Sequence, residues 1–287
     1  MTTVNSLSGG KTSSYLAVHY PADIEMFAVV CIDDHNANGG YWRKNKKLLQ
    51  RVQDKLEKTS PHWPEFLATA EDPQTLITML ELEQMTGREI TWVRGVGFES
   101  LIQEVKRCLP NISMRWCTEF MKIIPMFEHI YMYHELPIDM RIGFRYDEAE
   151  RAEDLATTIS FPISCNNYGT GQQKWVHDFE YRTLSYPLIK DKIMRPMVNK
   201  FWDKHPEVSF PEDTGCQICF WKHPQQIKLN YERPESKSII EWANIMEVMM
   251  GNRFKKEISM AAARDIGVQM DFFGGTGPGC KAGICGI

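Results

Sequence analysis

Nowhere in these 287 residues does an uninterrupted apolar run approach the roughly 18 that a membrane-crossing helix needs. The opening stretch, Met-Thr-Thr-Val-Asn-Ser-Leu-Ser, lacks a basic segment followed by an apolar one, so no secretory signal is read there. Basic charge is not in excess: 33 Lys and Arg face 37 Asp and Glu. The net charge of -4 is not the footprint of a bulk nucleic-acid binder, although it says nothing about local distribution. No repeat recurs at solenoid spacing. There is no Walker A loop either, because that pattern needs a glycine where Asn5 stands. These absences predict a cytoplasmic protein with no membrane association. Thiols stay reduced in that compartment, so the eight cysteines call for a use other than disulfides. Some of them are expected simply to fill the core.

The first forty residues have βαβ character: a strand over 3–7, a glycine turn, a helix over 12–20 and an apolar run over 26–32. A continuous apolar run suits a strand buried on both faces of a parallel sheet. Further helices are expected over 42–58, 98–108 and 118–134, with strands over 90–94 and 138–144. Residues 160–187 read as loop or irregular β. Helices are expected again over 191–205, 235–251 and 253–265, and the glycine-rich stretch 272–287 reads as a mobile tail. The alternation predicts an α/β fold with a Rossmann-like parallel sheet flanked by helices. It divides into a nucleotide-binding domain over 1–190 and a cysteine-bearing helical extension over 191–287, packed on the first.

Ser8-Gly9-Gly10-Lys11-Thr12-Ser13 falls between a strand and a helix. Glycines let the backbone approach a phosphate, and a helix N-terminus offers unpaired N–H groups. Lys11 adds a positive charge and the hydroxyls add donors. An ordinary tight turn is the plainer reading of the same residues. In the second half, Cys216-Gln217-Ile218-Cys219 is a Cys-x-x-Cys knuckle, with Cys117 far upstream and Cys280 and Cys285 in the tail. Spacing alone leaves a zinc knuckle, a redox pair and an iron–sulfur clamp all open.

The order of four motifs is more specific. The glycine turn resembles the pyrophosphate loop of the N-type ATP pyrophosphatases. Arg115-Trp116-Cys117 with Lys122 and Pro125, Gly143-Phe144-Arg145-Tyr146-Asp147-Glu148 with Arg151, and Tyr186-Pro187-Leu188 ahead of Cys216-x-x-Cys219 resemble, in that order, segments of the phosphoadenosine phosphosulfate (PAPS) reductase family. That family lies within the adenine nucleotide α-hydrolase superfamily. The match runs over residues 6–222. It implies ATP or an adenylyl sulfonucleotide on residues 8–13, Asp33, Arg145, Asp147 and Glu148, with Mg²⁺ a further expectation. It implies a [4Fe-4S] cluster on Cys117, Cys216, Cys219 and Cys280, with zinc as the alternative. Cys285 is then the expected catalytic cysteine, and Arg145 and Lys11 the neutralisers of phosphate charge. A thioredoxin-like reductant or a sulfur donor is the implied partner, with homo-oligomers expected.

Two departures matter. Trp116 stands where the iron–sulfur branch has a second cysteine beside Cys117, which opens the fourth ligand position. The complete Ser-Gly-Gly-x-x-Ser loop resembles enzymes that cleave ATP, so a transferase that adenylates and thiolates a nucleic acid is an alternative to a reductase. A non-catalytic zinc protein is a third reading. Cys31 and Cys108 read as core thiols and Cys165 as a spare ligand. His205 and His223 read as solvated. Lys44, Lys46, Lys47, Arg51 and Lys55 form a basic helix face, either a solvated surface or a steering surface for nucleic acid.

Overall fold

The computed structural model describes residues 1–153, 155–162 and 175–267. Five parallel strands form the central sheet: β1 (Thr3–Leu7), β2 (Ile24–Val29), β5 (Ile90–Arg94), β6 (Ile138–Ile142) and β9 (Arg182–Ser185). Their spatial order is β5-β2-β1-β6-β9. Counted along the chain, the parallel strands read 3-2-1-4-5, compatible with a Rossmann-like doubly wound sheet. The chain order reverses between β1 and β6, so the crevice beyond their C-terminal ends is where such sheets bind ligands.

Burial on both faces explains the apolar run in β2. Met26 and Ala28 join a cluster with Met126, Phe127 and Ile130 of α7 (Ile124–Tyr133). Phe27 and Val29 join the opposite cluster with Leu16 of α1 (Lys11–His19) and Leu76 of α4 (Pro73–Thr86). That second cluster also buries Trp202, Ile218, Trp242 and Phe254, so residues beyond 190 complete the same core.

Several expected elements come out differently. The run over 26–32 is two strands, because the ladder with β5 ends at Val29 opposite Arg94. Cys31–Ile32 (β3) instead pairs antiparallel with Ala68–Thr69 (β4), and Thr69 Oγ1 donates to the Val30 carbonyl at 2.9 Å. The helix expected over 42–58 breaks into α2 (Gly40–Lys44) and α3 (Lys46–Glu57) at Asn45. The Asn45 side chain donates to the Tyr41 carbonyl at 2.9 Å, the local competition that makes asparagine a poor helix interior residue. The segment expected to be helical over 98–108 stops at Val105, and Arg107 has φ 52°. From α6 (Trp116–Thr118) the chain winds through a wide π turn at Glu119–Ile123 into α7, just ahead of Pro125, which has no N–H to donate.

Of the region expected as loop or irregular β, the described residues form β: β7 (Thr158–Pro162) pairs with β8 (Trp175–Glu180) with a register shift after Ile159, and β9 joins the central sheet as an edge strand. Within 191–205 only α9 (Arg195–Trp202) is helical, and within 253–265 only α12 (Met260–Asp265). The helix expected over 235–251 forms as α11 (Lys237–Met250), closed by Gly251 at φ 64°. α4 and α10 (Pro224–Glu232) form in addition to the expected helices. Among the described residues no helix is long and apolar enough to cross a membrane.

Candidate functional site

β1 ends at Leu7 and α1 begins at Lys11, so the glycine turn occupies the crevice edge of the sheet. Ser13 fastens the turn: its Oγ accepts from the Ser8 N–H at 3.1 Å and donates to the Gly10 carbonyl at 3.1 Å. Gly10 is the helix cap and offers no side chain to the first-turn amides of α1. Gly9 sits at φ +75°, where a Cβ would lie 2.2 Å from Thr75 Cγ2. Glycine is required there by conformation and by contact alike.

Arg145 reaches this turn from the other side of the switch point. Its Nη1 donates to Thr12 Oγ1 at 2.7 Å. The approach is close because Gly143 precedes it: a Cβ there would stand 3.1 Å from Ser13 Cα. Asp147 accepts from Arg145 Nε at 3.1 Å, and Glu148 lies 3.0 Å from Arg145 Nη1 while also pairing with Arg151. Burial opposes ionisation of Asp147, but the hydrogen bond and charge of Arg145 outweigh it and hold its pKa below the ordinary value. Both carboxylates thus brace arginines. Lys11 lies over the Phe210 ring at 5.9 Å, and its carbonyl accepts from Trp202 Nε1 at 2.8 Å.

Asp33 stands at the end of β3, paired with Arg94 at 2.5 Å, both side chains nearly buried. Its N–H donates to Glu99 at 2.9 Å. Burial, reinforced by the charges of Asp33 and Asp34, raises the Glu99 pKa.

Cys117, Cys216 and Cys219 line one cavity, with Arg115 and Lys122 in the same wall. The knuckle closes through Cys219 N–H to the Cys216 carbonyl at 3.2 Å. Its loop is clamped by buried Lys222, which donates to Asp213 Oδ2 at 2.5 Å and to the Thr214 carbonyl at 3.0 Å. Among the described residues, no three His, Cys, Asp or Glu side chains are grouped closely enough to hold a single metal ion. Cys31 is a core thiol, pushed up to about 12 by burial. Cys108 is partly buried against the main core. Cys165, Cys280 and Cys285 lie outside the described residues.

The segment 70–75 separates the glycine turn from this cavity. Thr75 touches Gly9, and Thr214 of the knuckle loop lies 3.7 Å from the position of a Gly10 Cβ. Glu71 bridges to Cys216 through the backbone, and its buried Oε1 accepts from Lys122 Nζ at 2.8 Å. The Gln217 N–H donates to the Ala70 carbonyl at 2.7 Å. Among the described residues, Thr75 Oγ1, Glu71 Oε2 and both amide atoms of Gln217 are buried without a hydrogen-bond partner.

No family model matches this chain, and no curated protein matches it.

Glu71, Thr75, Thr214 and Trp202 are not among the residues the sequence singles out. Only the first two left a signal nearby. Asp72 ahead of Pro73, with Gly87 after the last turn, is a helix start and stop that would have placed α4. His223 is exposed, as expected, and caps α10; His205 is partly exposed, pairing with Glu207 at 2.8 Å and packing on Phe201.

Proposed function

We propose that this chain is an enzyme of nucleotide-dependent sulfur chemistry, related to the PAPS reductase family and built on the adenine nucleotide α-hydrolase type of sheet. The observation that carries the reading is the meeting of Cys117 with Cys216 and Cys219 in one cavity, a single chain segment away from the glycine turn. The turn and the first amides of α1 receive the phosphates of ATP or a sulfonucleotide. Arg145, steadied by Thr12 and Asp147, neutralises charge there and offers a planar fork that a lysine lacks. Three thiols and two cations around one cavity suit a thiolate-ligated group, and Cys117, Cys216 and Cys219 would hold a [4Fe-4S] cluster. When bound, that cluster supplies an iron–sulfur centre for handling sulfur. Arg115 and Lys122 offset the negative charge of the thiolates.

Two versions of the chemistry fit this arrangement. As a reductase, the Cys285 thiolate attacks the sulfur of a sulfonucleotide. The bond from sulfur to the phosphate oxygen breaks, the nucleotide leaves, and an S-sulfonate remains for an external dithiol to reduce. As a transferase, favoured by the complete Ser-Gly-Gly-x-x-Ser loop, an acceptor oxygen attacks the α-phosphate of ATP and pyrophosphate leaves; hydrosulfide from a sulfur donor then bonds to the acceptor carbon, and the carbon–oxygen bond breaks to release AMP. Exchange of labelled pyrophosphate into ATP occurs in the second version alone.

The first test is anaerobic purification followed by iron, sulfide and zinc analysis, together with ATP and adenylyl sulfate titrations. Iron and sulfide that are lost in Cys216→Ser, with nucleotide binding weakened by Arg145→Ala, are the expected results. Stoichiometric zinc without iron, and no nucleotide binding, would overturn the proposal.

A further inference from the structure

The basic stretch at the start of α3 plays no part in the nucleotide reading. From 35 to 53 the chain carries no Asp or Glu but contains Arg43, Lys44, Lys46, Lys47 and Arg51. All five are exposed, and none makes an ion pair or a side-chain hydrogen bond among the described residues. The next two carboxylates on α3 are engaged by glutamines, Asp54 by Gln50 and Glu57 by Gln53. In a protein of net charge -4 this is a concentrated patch of the opposite sign.

The patch is held rigidly. Trp42 is fully buried and packs edge-on against Phe66, while Val52 and Leu56 seat α3 on the core. Lys55 and Lys58 pair with Glu83 and Glu89, just before β5 begins. The C-terminal end of α3 therefore lies at the entry edge of the sheet. Its N-terminal half, with α2, lies toward the exit edge that carries the glycine turn. At 1.5 Å per residue, the α3 cations from Lys46 to Arg51 extend over roughly 8 Å, with Arg43 and Lys44 added by α2.

The chemistry of the partner follows from what accompanies the charge. No large hydrophobic side chain is exposed on α2 or α3. A membrane-surface helix needs an apolar face beside its basic one. A protein interface needs an apolar or aromatic centre. A rigid row of unpaired cations without either is matched to a chain of phosphates, where contacts are electrostatic and neighbouring charges repeat. We infer that Arg43, Lys44, Lys46, Lys47 and Arg51 form a docking surface for the phosphate backbone of a nucleic acid. This surface stands apart from the nucleotide-binding proposal, and either can fail alone.

The test is fluorescence anisotropy of the full chain with labelled single-stranded and duplex 20-mers from 50 to 200 mM salt. With five contacts to a single strand, at about 0.7 log units of affinity per phosphate for each tenfold rise in salt, affinity falls about 100-fold across that fourfold range. The variant Lys46→Glu/Lys47→Glu/Arg51→Glu, checked for an unchanged circular dichroism spectrum and melting temperature, loses binding at least tenfold and still binds ATP as the parent does. Parent-like nucleic-acid affinity in that variant overturns the inference. So does the absence of binding at 50 mM salt. Equal binding to polyglutamate assigns the surface to acidic protein instead, and equal binding to anionic phosphatidylserine vesicles assigns it to membrane; both overturn it. Nucleic-acid binding without ATP binding leaves this surface standing and removes the nucleotide proposal.

Discussion

At the glycine turn the hydrogen bonds within the turn are short-range and partly open to solvent. Ser8, Gly10 and Ser13 fasten one another within six residues, and a single arginine crosses from β6 to join them. The cysteine cavity is assembled from segments about a hundred residues apart, and its polar support is a buried ion pair. The first region is built so that a ligand can approach the backbone. The second is built so that charge is held in place before any ligand arrives. The two therefore respond differently to damage: the turn loses conformation when glycine is replaced, whereas the cavity loses charge balance when one partner of the pair is removed.

The largest effect is expected at the cavity. Glu71 is fully buried and Lys122 nearly so, so Glu71→Ala leaves an ammonium with its carboxylate gone. Removing one member of such a pair costs about 3–5 kcal/mol, read as a drop in urea unfolding free energy. The double variant Glu71→Ala/Lys122→Met should recover part of that loss, because the buried ammonium goes too. A single-variant loss below about 1 kcal/mol would mean that Glu71 carries no such burden, and the contrast with the turn would disappear.

At the turn, Gly9→Ala places a methyl on Thr75 Cγ2 at φ +75°. Thr75 is β-branched and stiff, on the first turn of α4, so it yields poorly. Overpacking of this kind costs about 1–3 kcal/mol, a smaller loss than at Glu71. The turn cannot relax without moving the amides that face the ligand, so ATP affinity should fall more than stability does. Calorimetric titration beside thermal melting separates the two. Unchanged ATP affinity in a folded Gly9→Ala protein would detach the turn from nucleotide binding.

These two regions also differ in how far the sequence announced them. The turn is written in consecutive residues, and the strand and helix on either side have periods that can be counted. Gly143-Phe144-Arg145 could likewise be placed, because it follows a readable strand. Nothing in the sequence joins Glu71 to Lys122, 51 positions apart, since an ion pair across a core leaves no periodic trace. The gathering of Cys117 with the knuckle rested on a family resemblance and not on spacing. That β9 joins the parallel sheet is not legible, because its neighbourhood is rich in turn-forming residues and reads as loop or irregular β. The break at Asn45 turned on one side chain competing for a carbonyl, which hydrophobic periodicity does not register.

The smallest expected effect tests the electrostatic half of the comparison. Near the cavity, Glu99 adjoins Phe98 in the wall, and burial together with Asp33 and Asp34 raises its pKa. Beside the turn, Asp147 is held below its ordinary value by Arg145 despite some burial. The signs of their contributions are opposite. From the ordinary carboxylate value of 4.5 up to its own raised pKa, Glu99 binds more proton in the folded state than in the unfolded one. Stability therefore falls as pH rises through that window. Asp147 contributes stability that is complete above 3.8 and is lost as pH falls through its lowered value. Glu99→Gln keeps an oxygen to accept from the Asp33 N–H and removes the titration. Unfolding measured between pH 4.5 and 7 should then decline less steeply than in the parent, by part of the slope only, since Asp72 and Glu247 are also raised by burial. Asp147→Asn should leave that range untouched and flatten the loss at lower pH. An unchanged slope in Glu99→Gln would show that the Glu99 carboxylate titrates alike in the folded and unfolded chain, and charge would no longer distinguish the two regions.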